Sequence, residues 1–453
     1  QTLAGDAVAA GSVIEAAGAA GDIRVALDAG DITLEEGTEM RAGRAMTLDS
    51  GNLSLGEGVG LEAGREMALT ARDALTAASA GATTEIIAPG LTMKAGGDVM
   101  LEGSVVAGDR TPDASHAHVS IEAGGAVTQT PGAGDAGVHG ASATVTAATG
   151  DIRLDAQRNG ASGGNALTSL ALESAGDVSV GLAGRANTAV TVNGTRGGEV
   201  AGDLRIHAQN TGVSLNAISA QGDISVHAAS ISGSDLRAGG ETVLTTSLYD
   251  RSPADGVHMT GMLSGSAVTV NTDKGDITLS DVRSDSGKVN LLRLSKDNTE
   301  GEVTFRDLTS ADTAFVYNGN GLLMGDTGHS QDTMYLVVGT DGNVIGRSQF
   351  ISARDKVGVV RLGYNFTPEL GVDYIGALSA SAVPVGNLPF INASEVRLAY
   401  AMRDNLSPML PERADLITPV SPYFFLGVRP DASVAQSSTE GEVQEAEAGS
   451  RGE

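Results

Sequence analysis

Residues 21–34 read GDIRVALDAGDITL and contain one short phrase twice in succession: a Gly-Asp pair followed by apolar residues at every second position. Glycine tolerates positive φ and an aspartate can hydrogen-bond its own following backbone, so the Gly-Asp pair predicts a turn. Ile23 and Val25, and then Ile32 and Leu34, keep the two-residue spacing that places side chains on one face of a strand. The stretch therefore predicts turn, short strand, turn, short strand.

Copies of this phrase recur along the first two thirds of the chain. Steps between successive copies include 22, 21, 26, 26 and 20 residues, and repetition at such a step is typical of a solenoid. Strands that each lie beside their equivalent one step later form parallel sheets, so the sequence predicts an all-β, right-handed parallel β-helix. The copies begin at Gly21, Gly43, Gly64, Gly97, Gly150, Gly176, Gly202, Gly222 and Gly275, and those at Gly43 and Gly64 carry Arg in place of Asp.

Composition excludes several classes of function. The chain has 62 Gly, no Trp, no Cys and only 3% aromatic residues, which argues against a disulfide framework, a Cys-based metal site and an ordinary enzyme pocket. Its 56 acidic and 29 basic residues give a net charge of −27, which argues against nucleic acid as a partner. The start of the chain lacks Met and a signal-like segment, so we expect a processed product or an excerpt.

The composition changes near residue 300. Of the 14 Phe and Tyr residues, 13 lie at or beyond Phe305, and 8 of the 12 prolines lie at or beyond Pro368. The last coil of a β-helix needs a cover for its open edge. We therefore predict a repeat shaft over residues 1–300, a β-rich cap or joining segment over 301–430, and a disordered acidic tail over 431–453.

One stretch of the C-terminal segment fits two secondary structures. Val396, Leu398 and Tyr400 alternate as in a strand, whereas Leu398, Met402 and Leu406 fit a helical stripe. The sequence leaves this alternative open.

The degenerate Gly-Asp-Ile/Leu/Val units of residues 1–300, on a background of Ala, Gly, Ser, Thr and Asp without Cys, resemble the repeat shaft of filamentous haemagglutinin-like adhesins. These are the large exoproteins of Gram-negative two-partner secretion. The resemblance implies a right-handed parallel β-helix, export through an outer-membrane partner barrel, and a role in adhesion, aggregation or biofilm. The family's amino-terminal secretion signature, of the Asn-Pro-Asn-Gly type, does not occur here.

Two catalytic-looking motifs are weak. Residues 132–137, GAGDAG, match a dinucleotide fingerprint by letters, but no helical pattern follows to bind a pyrophosphate. Residues 160–164, GASGG, resemble a nucleophile elbow without its strand and helix. We expect both to be loops, like the longer steps at 107–118, 130–140 and 157–165.

Histidine and aspartate supply the possible metal ligands. His207 and His227 occupy the same place in GDLRIHA and GDISVHA, so we expect neighbouring, outward-facing side chains, either simply solvated or forming a weak metal or pH-sensitive site. His116 and His118, with Asp113 nearby, lie in a predicted loop. The Gly-Asp aspartates would stabilise turns rather than bind calcium, since the denser calcium-binding nonapeptide does not recur. We assign no catalytic, cofactor-binding or metal-binding residue.

The sequence thus predicts a secreted or surface-exposed, non-catalytic adhesin-like exoprotein of a Gram-negative bacterium. Its expected partners are the secretion barrel, a host-cell, glycan or neighbouring-cell surface, and further copies of itself through the C-terminal segment. The alternative is a subunit of an extracellular filament or matrix layer that assembles head to tail. A β-helical polysaccharide lyase or hydrolase is a further alternative, disfavoured because Tyr249 is the one aromatic residue before Phe305.

Overall fold

A computed structural model describes residues 7–8, 11–16, 18–109, 117–132, 136–155, 164–183, 189–194, 199–246, 256–293, 301–318, 322–338, 343–362, 383–384, 391–401 and 417–418. Across these residues the regular structure is β-strand throughout, and no helix occurs in them. The chain divides into two compact units, Gln1–Gly240 and Glu241–Glu453. Each is described by itself below.

The first unit consists of short strands joined by turns. Most have two to six residues, and the longer ones bend from one sheet into the next. They are β1 (Ala7–Val8), β2 (Val13–Ala16), β3 (Ile23–Ala26), β4 (Ile32–Leu34), β5 (Glu39–Ala42), β6 (Ala45–Ser50), β7 (Leu53–Leu55), β8 (Gly60–Ala63), β9 (Glu66–Ala71), β10 (Leu75–Ile87), β11 (Gly90–Ala95), β12 (Val99–Gly108), β13 (His118–Ala123), β14 (Val127–Gln129), β15 (Gly137–Ala147), β16 (Ile152–Leu154), β17 (Ala166–Ser174), β18 (Val178–Gly181), β19 (Val190–Gly194), β20 (Glu199–Val200), β21 (Leu204–Asn216), β22 (Ile218–Ala220), β23 (Ile224–Gly233) and β24 (Leu236–Ala238).

These strands wind into coils, and each coil contributes to three parallel sheets. In one coil β4 is followed by β5 and β6, and the next coil repeats the order with β7, β8 and β9, which pair in parallel with β4, β5 and β6. We name these the first, second and third sheets. The first sheet continues through β10, β12, β14, β16, β18, β21 and β23. The third continues through β11, β13, β15, β17, β19 and the second half of β21. The predicted all-β parallel β-solenoid is confirmed.

Buried apolar side chains at every second strand position hold the coils together. In β6 the pattern alternates between partly exposed and buried, and Leu48 is fully buried. Leu48 lies in register with Leu69, which lies in register with Met93, so inward side chains stack in apolar columns. Burying one such side chain contributes about 1.5–3 kcal/mol, and the aliphatic core needs no aromatic bulk.

The Gly-Asp phrase occupies two different places in the coil. Copies at Gly21, Gly43 and Gly64 precede β3, β6 and β9 of the third sheet, whereas copies at Gly150 and Gly176 precede β16 and β18 of the first sheet. Two copies therefore occupy equivalent positions in successive coils only when both belong to the same group. The sequence pattern alone does not separate the two groups.

The aspartates bind the next coil rather than their own following backbone. The Oδ1 atom of Asp151 accepts a hydrogen bond from the backbone N–H of Asp177 at 3.0 Å, and Asp177 binds that of Asp203 in the same way at 2.9 Å. Asp203 binds the N–H of Asp223 at 2.9 Å. The backbone at Gly202 passes so close to the aspartate of the preceding coil that a side chain does not fit: a Cβ at Gly202 would lie 2.2 Å from Asp177 Oδ1. The φ of Gly202 is not in the left-handed region.

The second unit continues the parallel pairing within its own residues. Its strands are β25 (Thr242–Thr246), β26 (Val257–Gly265), β27 (Val268–Thr272), β28 (Ile277–Ser284), β29 (Val289–Arg293), β30 (Glu302–Ser310), β31 (Ala314–Asn318), β32 (Leu322–Ser330), β33 (Thr333–Val338), β34 (Asn343–Leu362), β35 (Val383–Pro384), β36 (Ile391–Ala401) and β37 (Ile417–Thr418). Parallel ladders run β26–β28–β30–β32–β34 and β25–β27–β29–β31–β33–β34–β36, so pairing of this kind extends on both sides of residue 300.

The C-terminal part contains the stretch for which the sequence left strand and helix open. Residues Ile391–Ala401 form a strand, which decides the open choice between strand and helix there. Two antiparallel pairings, of β35 and β37 with β36, interrupt the parallel order. The domain boundaries at 300 and 430 stay predictions, and the predicted tail over 431–453 lies outside the described residues.

Candidate functional site

The outer face of the third sheet in the first unit carries rows of short, uncharged polar side chains. One row runs in register from Ser142 through Ser169 and Thr191 to Ser214. All four are partly exposed, and the residue that follows each of them along its strand is buried. We name as the hydroxyl face the residues Ser120, Ser142, Thr144, Thr146, Ser169, Thr191, Asn193, Ser214 and Asn216.

Several of these side chains already contact one another. Asn216 Nδ2 donates to Asn193 Oδ1 at 3.3 Å, and Asn193 Nδ2 donates to Ser169 Oγ at 3.4 Å. At the edge of the face, His118 Nδ1 lies 2.7 Å from Ser142 Oγ. Short side chains held this way lose little conformational entropy when a ligand binds.

Charged residues border the hydroxyl face. Lys94 and Glu122 form an exposed ion pair at 2.9 Å on the strands that precede Thr146 in its row. The nine named side chains are all hydroxyls or amides, and each can both donate and accept hydrogen bonds. Glu173 follows Thr146 in its row and Ala171 follows Thr144 in its row, both on the outer face of β17. Strands about 4.8 Å apart, with outward residues about 6.6 Å apart along each strand, give a regular grid of such groups. The grid suits a ligand that is itself rich in neutral hydroxyl groups.

The sequence reasoning missed this face. Its members come from segments that lie about 24 residues apart, and most strands carry only one or two of them. The signal that could have found it is the alternation Ser142, Thr144, Thr146 in one strand, which places three hydroxyl side chains on the outer face.

The Gly-Asp aspartates are placed as turn-stabilising residues. In such a turn one carboxylate oxygen of the aspartate accepts a hydrogen bond from a backbone N–H of the next coil. Asp98 accepts from Ala126 at 2.8 Å, and in the second unit Asp276 accepts from Glu302 at 2.8 Å. Asp151 and Asp203 also pair with Arg153 and Arg205 of their own strands, at 3.0 and 2.7 Å. Among the described residues no group of three or more His, Cys, Asp or Glu is arranged to hold a metal ion.

The two strand histidines lie side by side, as the repeat predicts. His207 and His227 are register partners on β21 and β23, and both are exposed. Their ring centres are 5.1 Å apart and the ring planes are perpendicular. The His227 side chain is exposed but partly desolvated by its surroundings, and this desolvation and the neighbouring His207 lower the pKa of His227 below its ordinary value.

The remaining sequence candidates fall in or near segments outside the described residues. His116 and Asp113 are among these, while His118 is the exposed partner of Ser142. The motif at 132–137 leads into strand β15 and the motif at 160–164 leads into strand β17, so the described residues that follow them form no helix. Their interpretation as loops stays a prediction, since residues 133–135 and 160–163 lie outside the described residues. Within the part of the chain that is described, no helix has the length and apolar character needed to cross a membrane.

Comparison with known proteins adds no relative: no protein-family model, no curated protein and no solved structure matches this chain. The parallel β-solenoid is compatible with the shaft of the adhesin family named above, and it is equally compatible with other β-helical proteins.

Proposed function

We propose that this chain is a non-catalytic, adhesin-like exoprotein that binds a neutral, hydroxyl-rich surface, such as the glycan coat of another cell, through the hydroxyl face. The observation that carries the proposal is the row Ser142, Ser169, Thr191 and Ser214, in register on adjacent parallel strands and free of charged side chains. The loops that the sequence predicts between coils would add contacts around this face.

Several physical arguments support a binding role over a catalytic one. Hydrolysis of a glycosidic bond generally requires a pair of carboxyl groups set either side of the scissile bond, one of them in an environment that keeps it protonated. The nine residues of the hydroxyl face carry no carboxyl group. The nearest carboxyl groups are Glu122, which is paired with Lys94 at 2.9 Å, and Glu173, on the two strands beside Thr146. A repeated grid of weak donors and acceptors suits multivalent contact with a repeating polymer, in which many modest contacts add up.

The proposal places the protein outside the cell, secreted or displayed on a Gram-negative surface after export through an outer-membrane partner barrel. The family resemblance of the repeats supports this placement. A fold whose strands satisfy their backbone hydrogen bonds between coils is also consistent with an exported protein without disulfides, since the chain has no Cys.

The test measures binding of the purified chain to a panel of neutral and charged polysaccharides and to intact cells. We expect binding to neutral polymers that changes little with salt, because the hydroxyl face is uncharged. The variant Thr144→Glu with Ser169→Glu should weaken that binding about tenfold or more by adding unpaired charge to the contact.

The matched control is Thr128→Glu with Ser179→Glu, which adds the same two charges on the outer face of the first sheet. Equal loss in the control would show that net charge, and not the hydroxyl face, decides binding. Absence of binding to every polymer and cell type would contradict the adhesive function. Release of reducing or unsaturated ends from any polymer would contradict the non-catalytic assignment.

A second candidate function is a filament subunit that assembles head to tail. The observation that favours it is Val13 in β2, which is 62% exposed and is the one large apolar side chain in the described residues that is so exposed. An exposed apolar side chain on a strand can contact a strand of another copy.

Electron microscopy and sedimentation over a range of concentrations separate the two candidates. Filaments that appear with rising concentration, and that are lost in Val13→Lys and on deletion of residues 300–430, would favour assembly. A chain that stays monomeric at all concentrations would leave the adhesive function as the explanation.

A further inference from the structure

We propose that His207 and His227 together form an exchangeable binding site for a divalent transition-metal ion such as Zn²⁺, Ni²⁺ or Cu²⁺ on the outer face of the first sheet. The inference is independent of the adhesive function proposed above. It is carried by the register of the two residues and by the distance between their rings.

Both histidines are held on regular backbone. On each side of His207 and of His227 the strand neighbours are buried, namely Ile206 and Ala208 in β21, and Val226 and Ala228 in β23. The register is continuous from Leu204↔Ile224 to Ala208↔Ala228. The two imidazoles therefore project from adjacent, fixed positions into solvent, so a metal ion would not have to organise the backbone.

The distance between the rings matches a shared metal ion. With metal–nitrogen bonds of about 2.0 Å and a ring centre roughly 1.1 Å behind the nitrogen, two imidazoles at a tetrahedral angle have ring centres about 5 Å apart. The rings of His207 and His227 are 5.1 Å apart. The ring planes are perpendicular in this arrangement, so binding would require the side-chain torsions to rotate and turn one nitrogen of each ring toward the ion.

The chemistry of the donors selects the metal. Imidazole nitrogens bind Zn²⁺, Ni²⁺ and Cu²⁺ and have little affinity for Mg²⁺ or Ca²⁺, which prefer oxygen ligands. A neutral imidazole is the form that coordinates metal, so binding should strengthen as the pH rises. Two protein ligands leave the other coordination positions to water, so the ion exchanges readily and those positions can accept a donor from another molecule.

The residues around the two histidines leave room for such an ion. The register partner of His207 on the preceding strand is Gly181, which has no side chain. The nearest outward charge along β21 is Arg205, whose guanidinium is paired with Asp203 at 2.7 Å. The carboxylate of this pair offsets the cation that would otherwise repel a bound metal ion.

The test is titration of the full chain, purified with a tag that contains no histidine, with Ni²⁺ and with Zn²⁺ by calorimetry and by NMR. We expect one ion per pair and joint perturbation of the His207 and His227 ring signals. The variants His207→Ala and His227→Ala should each lower the affinity about tenfold or more, because each removes chelation by the pair. Mg²⁺ should give no effect.

The matched control is His258→Ala, which removes an exposed strand histidine whose register partner is Thr278. It should leave the affinity unchanged. Equal loss in this control, unchanged affinity in His207→Ala or His227→Ala, or no binding of either ion at millimolar concentration would each overturn the proposal. Circular dichroism of each variant checks the fold, and the ring signals of the unaltered chain decide the question if a variant does not fold.

Discussion

The carboxylate oxygen Oδ1 of Asp177 accepts a hydrogen bond from the backbone N–H of Asp203 at 2.9 Å, and this contact joins two successive coils. Asp203 stands in the same relation to Asp223 at 2.9 Å. Each Gly-Asp turn is thus a donor to the coil before it and an acceptor for the coil after it. This side-chain ladder runs beside the backbone ladders of the sheets and fixes the register of the turns.

Removing one acceptor of this ladder should destabilise the first unit. We expect Asp177→Ala to lower the free energy of unfolding by about 1 kcal/mol, because the N–H of Asp203 loses its partner at a turn that water can reach. Asp177→Asn is the matched control, since its amide oxygen can still accept the bond. Denaturant unfolding measures both, and an equal loss in the two variants would contradict the assigned role of the oxygen.

The glycine of the turn should be harder to replace than the aspartate. A Cβ at Gly202 would lie 2.2 Å from Asp177 Oδ1 and 2.9 Å from the backbone nitrogen of Asp177. We expect Gly202→Ala to cost about 1–3 kcal/mol of unfolding free energy by overpacking. In the double variant with Asp177→Ala the combined cost should be smaller than the sum, and strict additivity would argue against this contact.

A buried asparagine of the first unit should be equally sensitive. The side chain of Asn165 is fully buried, accepts the N–H of Val138 at 2.9 Å and donates to the carbonyls of Leu154 and Gly181, each at 2.9 Å. We expect Asn165→Ala to cost about 2–4 kcal/mol, since three buried backbone groups lose a partner.

Asn165→Asp is the informative comparison for that site. It keeps an acceptor for Val138 but places a carboxylate beside two carbonyl oxygens, so it should be at least as destabilising at neutral pH and less so in acid. A neutral effect of either substitution would show that water replaces the side chain.

His227 should titrate below the ordinary range of a histidine. We expect NMR to place the pKa of His227 below its ordinary value, because desolvation and the neighbouring His207 both disfavour its charged form. His207→Gln should move that pKa upward. Because the folded-state pKa is lowered, the neutral form of His227 stabilises the fold above the ordinary pKa, and this contribution is lost as the pH falls below it.

The free energy of unfolding should therefore decrease on acidification through that range, and less so in His227→Gln. A His227 pKa at or above that of a histidine in a short peptide would contradict the structure. The ring contact with His207 would then have no effect on its protonation.

The amino-acid sequence by itself determined the local pattern. Alternation at Ile23 and Val25 specified strands, and recurrence of the Gly-Asp phrase specified a parallel solenoid, because both follow from spacing along one segment. The repeat also placed His207 beside His227, since equivalent positions of successive coils become neighbours.

Only the tertiary structure decided which copies of the phrase are equivalent and what the side chains contact. The copies at Gly21 and Gly150 both read Gly-Asp-Ile-Arg, yet they precede strands of different sheets, because coil length varies with the turns and loops between strands. The partner of Asp177, the grid around Thr144 and the distance between two imidazole rings all depend on how separate coils stack, and no single segment of sequence encodes that.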